Sequence, residues 1–151
     1  MSKPVVLKDH SDPLATNLYF PQIKRRRSSL HGWGVFAVEN INKNKRILHY
    51  AGEKILSRDS IEREQTYLVR GEIWCFRINH LYARDGNVNG NLSRFINHAC
   101  VPNCYSNVIG DTVWIIASRP IKVGEELTYH YHTDGFGDIR CRCRPSCDYE
   151  L

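Results

Sequence analysis

Short apolar runs separated by Gly, Asn, Asp and Pro dominate the chain. GVFAV (34–38), RILHYA (46–51), EIWCFRI (72–78), TVWIIA (112–117) and ELTYHY (126–131) are rich in β-branched or aromatic residues and bounded by turn formers, which predicts five strands. Helical periodicity is thinner. SRDSIEREQTYLV (57–69) has Ser57 as an N-cap with an acidic group near its start, and NLSRFINH (91–98) has room for one or two turns after Asn91. The pattern predicts a mainly β domain with short helices. Two segments fit neither template: DGNVNGNLSRFINHACVPNC (85–104) and the tail DGFGDIRCRCRPSCDYEL (134–151). Irregular segments of this kind often carry function.

Composition narrows the class. At 151 residues, 42% hydrophobic and 25% charged, the chain is long enough for one self-sufficient core and too apolar for disorder. No run approaches the roughly 18–20 apolar residues of a membrane span. MSKPVVLKDHSDPL lacks the apolar core of a secretory signal. The chain therefore reads as intracellular, nuclear or cytoplasmic, or acting in a host cell if its source is a microbe, with no membrane partner.

The formal charge of +5 is unevenly spread. Residues 1–30 carry +4, residues 31–110 carry +3 and residues 111–151 carry −2. This divides the sequence into a basic N-terminal arm (1–27) ending in Arg25-Arg26-Arg27, a central domain (28–132) and a cysteine-bearing tail (133–151). A weak nucleic-acid contact through the arm stays open. In the last third, Glu125, Glu126, Asp134, Asp138, Asp148 and Glu150 could attract a basic segment or be plain solvated surface. Oligomeric state is not legible.

Candidate chemistry concentrates in four places. Cys141, Cys143 and Cys147 follow C-x-C-x3-C, and three thiolates leave one position of a tetrahedral zinc site to fill. Cys100 can close it and Cys104 is an alternative, while Cys75 in an apolar strand reads as a plain buried thiol. Gly32 and Gly34 flank Trp33 in LHGWGVFA, a pattern that fits an ordinary turn as well as a close backbone approach to a ligand. Strand alternation puts Tyr129 and Tyr131 on one face and His130 and His132 on the other. Two phenols on one face can frame a cation-attracting pocket or simply pack on a sheet. Asn97 and His98 in RFINH need polar partners, in a loop or around a ligand.

Together and in this order, the pieces resemble the SET-domain family of protein-lysine methyltransferases. HGWGVFA is similar to its G-x-G segment and Tyr50-Ala51-Gly52-Glu53 to its Y-x-G-E strand. DGNVNGNLSRFINHACVPNC resembles the block D-A-T-x-x-G-N-x-x-R-F-I-N-H-S-C-x-P-N-C, GEELTYHY resembles G-E-E-L-T-Y-D-Y, and CRCRPSC resembles the post-SET zinc motif. The departures are Gly86-Asn87 for A-T, Ala99 for Ser, His130 for Asp, a post-SET spacing of x3 where x4 is usual, and no cysteine-rich pre-SET segment.

The resemblance implies small β-clip-like sheets closed by a C-terminal pseudoknot, with a zinc-bound post-SET tail. It implies S-adenosylmethionine in a pocket contacted by Gly32, Trp33, Gly34, Trp74, Arg94, Asn97, His98, Tyr131 and Phe136. A lysine from a histone or other protein would enter a channel at Tyr50, Phe76 and Tyr129. Tyr131 would be the catalytic tyrosine, Tyr50 a second channel hydroxyl, and Tyr129 the position that helps set how many methyl groups fit. Cys100, Cys141, Cys143 and Cys147 would hold structural Zn2+. The rival readings are a catalytically weak, zinc-stabilised peptide- or chromatin-binding module and a nucleic-acid-binding zinc protein.

Overall fold

The computed structural model describes residues 19–133 and 137–151. Its strands form four small sheets. β1 (Ile23–Arg27) pairs antiparallel with β2 (Trp33–Ala37). β3 (Arg46–His49) is the first strand of a three-stranded sheet, in the order β3-β9-β8, with β8 (Cys104–Ile109) and β9 (Thr112–Ala117). β4 (Glu53–Leu56), β5 (Cys75–Arg77) and β6 (Tyr82–Asp85) form another, with β6 central. β7 (Asn97–His98) and β10 (Thr128–Tyr129) make a short parallel pair. The continuous apolar run of β9 follows from its central place, with Val113 through Ala117 all buried.

The main core gathers Val35, Ile47, Ile96, Ile115, Ile121 and Leu127, each 2% exposed or less. Fully burying such an aliphatic side chain is worth about 1.5–3 kcal/mol. Ile96 and Leu127 lie immediately before β7 and β10, so core packing sets the depth at which that pair sits.

The segment 126–129 changes partner as it runs. Leu127 N–H donates to Val35 O at 2.7 Å, and Thr128 and Tyr129 then lie opposite Asn97 and His98. Asn103 stitches the crossing: its Nδ2 donates to Glu126 O at 2.8 Å and its Oδ1 accepts from Thr128 N–H at 2.9 Å. The C-terminal segment thus runs against the loop that carries Asn97 and His98, in the pseudoknotted arrangement expected. Its strand is shorter than the expected 126–131, because β7 offers only two residues to pair with.

Other differences have local causes. Of the expected strand 72–78 only Cys75–Arg77 forms, since Trp74 O instead takes bonds from Gly86 N–H and the Tyr50 hydroxyl. Helix α1 spans Ser57–Leu68. Its N-cap is Leu56, without a side-chain cap, and Ser57 Oγ donates to Asn79 O, so Ser57 is the first helical residue and not the cap expected. Asp85, fully buried, fastens α1 to β6 by accepting from Arg63 Nη1 at 2.9 Å and Tyr67 Oη at 2.8 Å. A buried carboxylate needs such partners. After Asn91 a single 3-10 turn forms, Leu92–Phe95, capped by Asn91 Oδ1.

The end of the expected arm is a strand. In β1 the arginines lie over rings: Arg25 is 4.4 Å from the Trp33 centroid, Arg27 4.1 Å from it, and Arg26 4.6 Å from Phe36. Cation–π contact and ladder pairing hold a sequence too charged to read as a strand. No helix among the described residues is long and apolar enough to cross a membrane.

Candidate active site

Asn97 is fixed by its amide. Nδ2 donates to Trp33 O at 2.9 Å, His31 O at 3.2 Å and Glu126 Oε1 at 2.9 Å, joining β7 to the turn before β2 and to the segment before β10. These bonds consume the amide N–H groups, so what Asn97 can offer a ligand is its carbonyl oxygen. Glu126 also accepts from Ser28 Oγ at 2.8 Å. It is half-buried, and its carboxylate is engaged by Asn97 and Ser28 instead of standing free in the acidic stretch. A Cβ on Gly34 would lie 2.2 Å from Glu126 Oε1, so a side chain there would push the carboxylate away from Asn97.

His98 is held by its Nδ1, which accepts from Tyr131 N–H at 3.1 Å, and by stacking on Tyr149 with centroids 5.1 Å apart. Burial, with His130 and His132 nearby, lowers its pKa to about 4. A neutral ring accepting at Nδ1 carries its proton on Nε2, which lies 3.6 Å from Cys100 Sγ.

Around these residues opens a pocket of about 280 Å³. Its walls come from residues 30–33, residues 71–74, Phe95, Asn97 and His98 with Tyr131, and residues 139–142 with Leu151. Six of the expected cofactor contacts line it: Gly32, Trp33, Trp74, Asn97, His98 and Tyr131. Two do not. Gly34 packs under Glu126, and Arg94 sets its guanidinium 4.7 Å from the Phe95 centroid and 5.9 Å from that of Trp74. Phe136, like Asp134, lies outside the described residues. Leu30, Ile73, Ile139 and Leu151, in loops, and Phe95, in the 3-10 turn, also join the lining, and isolated apolar residues of this kind carry no periodic signal.

Beyond Tyr131 the pocket meets a run of rings. The ring centroid of Tyr131 lies 4.9 Å from that of Tyr129, Tyr129 5.9 Å from Phe76, and Phe76 5.2 Å from Tyr50. The two tyrosines share a face as expected, and His130 and His132 contact each other at 4.8 Å. The Tyr131 hydroxyl donates to Ile96 O at 2.7 Å and the Tyr50 hydroxyl to Trp74 O at 2.6 Å. Burial raises the pKa of Tyr50, Tyr129 and Tyr131 above the usual phenol value, so all three are protonated near neutral pH.

The Sγ atoms of Cys100, Cys141, Cys143 and Cys147 lie within 4.8 Å of one another. Cys100 Sγ is 4.0 Å from Cys141 Sγ and 3.6 Å from Cys147 Sγ. Four thiolates bound at about 2.3 Å to one tetrahedral zinc would stand about 3.8 Å apart, so the donor set fits that ion. Cys104 is not part of the group; it is 1% exposed in the core of β8. Cys75, half-buried, has its backbone N–H on Glu64 Oε2 at 3.0 Å.

A family model described as SET domain matches residues 32–132. The chain belongs to the SET-domain family. Among similar proteins, Histone-lysine N-methyltransferase set-2 of Caenorhabditis elegans is 44% identical over 128 residues, 80% of this chain and 8% of the relative. Histone-lysine N-methyltransferase set1 of Dictyostelium discoideum is 40% identical over 139 residues, 86% of this chain and 9% of the relative. The SET domain here therefore spans less than a tenth of the length of these curated relatives. A chain in the solved structure of Chaetomium thermophilum Polycomb Repressive Complex 2 bound to GSK126 superposes with TM-score 0.67 at 28% identity, covering 75% of this chain and 16% of that one.

Proposed function

We propose that this SET domain transfers methyl groups from S-adenosylmethionine to a lysine side chain of a histone, with Zn2+ bound by Cys100, Cys141, Cys143 and Cys147 as a structural ion. The observation that carries the reading is Tyr131: it lines the pocket and also touches the run of rings leading to Tyr50. The names of the relatives support a histone as substrate, and a histone substrate puts the site of action in the nucleus.

The pocket suits the cofactor chemically. Trp33, Trp74, Phe95 and Leu151 offer apolar surface for a flat base, and the Asn97 carbonyl oxygen offers an acceptor for an ammonium. When bound, S-adenosylmethionine supplies an electrophilic methyl on a sulfonium. The zinc site ties the tail beside Cys100, and that tail forms one wall of the pocket.

The protein must present a neutral amine. Free lysine has a pKa of about 10.4, so roughly one molecule in a thousand is neutral near pH 7.4. A ring-lined channel disfavours the ammonium by desolvation, and a neighbouring positive charge lowers the pKa further. The protonated tyrosines are not general bases. Glu64 is engaged by Cys75 N–H, and Glu126 by Asn97 and Ser28. The lysine proton therefore leaves to solvent before transfer. The hydroxyls of Tyr131 and Tyr50 direct their O–H groups to Ile96 O and Trp74 O, so they present lone pairs that accept amine N–H groups and orient the nitrogen.

Two expected results follow from this geometry. Glu126→Gln weakens the charged hydrogen bond to Asn97 and is expected to lower S-adenosylmethionine affinity about tenfold by calorimetry, from about 1.4 kcal/mol. Unchanged affinity would remove Glu126 from that role. Tyr129 is 5% exposed, and its hydroxyl occupies space that a methyl group would need. Tyr129→Phe is expected to move mass-spectrometric products from mono- and dimethyl toward trimethyl lysine, and a wild type that already trimethylates fully would contradict the assignment.

The reading itself is tested with methyl-labelled S-adenosylmethionine, the chain, and a panel of histones beside a whole lysate. Label is expected in a histone. Label in none of the proteins would refute the activity, and label confined to other proteins would refute the substrate.

A further inference from the structure

β1 carries four cations in succession, Lys24 to Arg27, and all four are exposed. Among the described residues none of them makes an ion pair, although Lys54, Arg63 and Arg119 elsewhere each reach a carboxylate. Neighbouring like charges with no acid between them repel one another. None of the four lines the pocket, so the methyl transfer proposed above does not account for the cluster.

The rings beneath the arginines set how they are presented. Arg25 and Arg27 lie 4.4 and 4.1 Å from the Trp33 centroid, Arg25 also lies 4.9 Å from that of Phe95, and Arg26 lies 4.6 Å from that of Phe36. A guanidinium that rests on a ring by its flat face keeps its N–H groups in its own plane, where an anion can take them two at a time. Strand alternation sends Arg25 and Arg27 to one face and Lys24 and Arg26 to the other. Same-face residues on a strand repeat every ~6.8 Å, close to the step between neighbouring phosphates along one DNA strand. The sheet of β1 and β2 has two strands, so no third strand covers the outer edge of β1.

These features choose among anions. A free phosphate would satisfy one or two of the cations and leave the others repelling each other. The carboxylates of an acidic peptide sit on side chains whose spacing changes with its conformation. A duplex offers an unbroken row of phosphates on each strand, at a step that matches the arginines of one face.

We propose that β1 docks on the phosphate backbone of duplex DNA through Arg25, Arg26 and Arg27. Contacts of this kind hold and orient the protein without reading sequence. Histones carry DNA wrapped around them, so the surface would serve the substrate of the proposed reaction. The binding itself needs neither cofactor nor lysine, and it stands or falls apart from the methyltransferase reading.

The test is fluorescence anisotropy of the full chain on a labelled duplex of about 20 base pairs, repeated across salt without cofactor. Three phosphate contacts predict a slope of about −2.7 in log affinity against log salt, which is about a fortyfold loss between ~50 and ~200 mM. Arg25→Gln, Arg26→Gln and Arg27→Gln combined are expected to weaken binding at least about tenfold at the lower salt and to cut the salt-dependent loss to a few-fold. Arg25→Lys, Arg26→Lys and Arg27→Lys combined keep the charge and are expected to keep the slope. Arg58→Gln, Arg70→Gln and Arg77→Gln combined remove the same charge from exposed positions elsewhere and are expected to stay within a few-fold of wild type. Equal losses in the two glutamine variants would overturn the proposal, as would a lysine variant without the slope or a wild type that leaves the duplex unbound. Two competitors decide the class of partner. Single-stranded RNA of equal length, or polyglutamate of equal charge, that binds more tightly than the duplex would overturn the choice of DNA.

Discussion

Replacing Tyr131 by Phe is expected to lower turnover by about a hundredfold or more while leaving S-adenosylmethionine affinity within a few-fold. Phe keeps the ring that lines the pocket and rests on Tyr129, so the space for the cofactor survives. It loses the oxygen that Ile96 O holds in one orientation, and with it the acceptor that aims the amine. Alignment, and not proton abstraction, is the effect removed: a buried phenol with its pKa raised has no phenolate to offer at neutral pH. Titration with S-adenosylmethionine beside steady-state kinetics separates the outcomes. A large fall in affinity would make Tyr131 chiefly a pocket residue, and near-normal turnover would remove it from the chemistry.

The second large effect is expected from Cys143→Ser. The wild type should carry about one zinc per chain and the variant close to none. Structural zinc sites contribute on the order of 10 kcal/mol in small zinc-dependent folds, so the tail is expected to detach from Cys100 without the ion. Detachment removes the wall formed by residues 139–142 and Leu151 and leaves the pocket open on that side. Cofactor affinity should fall by about two orders of magnitude or more, and limited proteolysis should cut the tail before the core. The core cluster contains none of the four cysteines, so the sheets should stay folded. Metal analysis, calorimetry and proteolysis check these in turn. A metal-free protein with wild-type affinity and activity would refute the zinc assignment.

The parts of this structure legible in the sequence are those whose signal is local. TVWIIA reads as a strand because β9 is apolar on both faces, and 57–69 reads as a helix close to its observed bounds. The cysteine group was legible because three of its members crowd the tail, although Cys100 lies 41 residues from Cys141. β1 was not, since four of its five residues are cationic and only their rings across the ladder explain the pairing. β4 and β6 are short and carry charged residues whose partners lie on α1. Glu126 looked like one more acid in an acidic stretch. Its role became visible only when the chain crossing brought Asn97, Ser28 and Gly34 around it. The pocket is non-local in the same way, built from segments that no spacing rule connects.

Peptide mass spectrometry decides whether this SET domain methylates a lysine of a histone. Recombinant histones are incubated with the chain and S-adenosylmethionine, and the modified atom is located. A methyl group on a lysine side-chain nitrogen, present with wild type and strongly reduced with Tyr131→Phe, is the predicted result. Tight binding of S-adenosylmethionine with no methyl found on any lysine would contradict it.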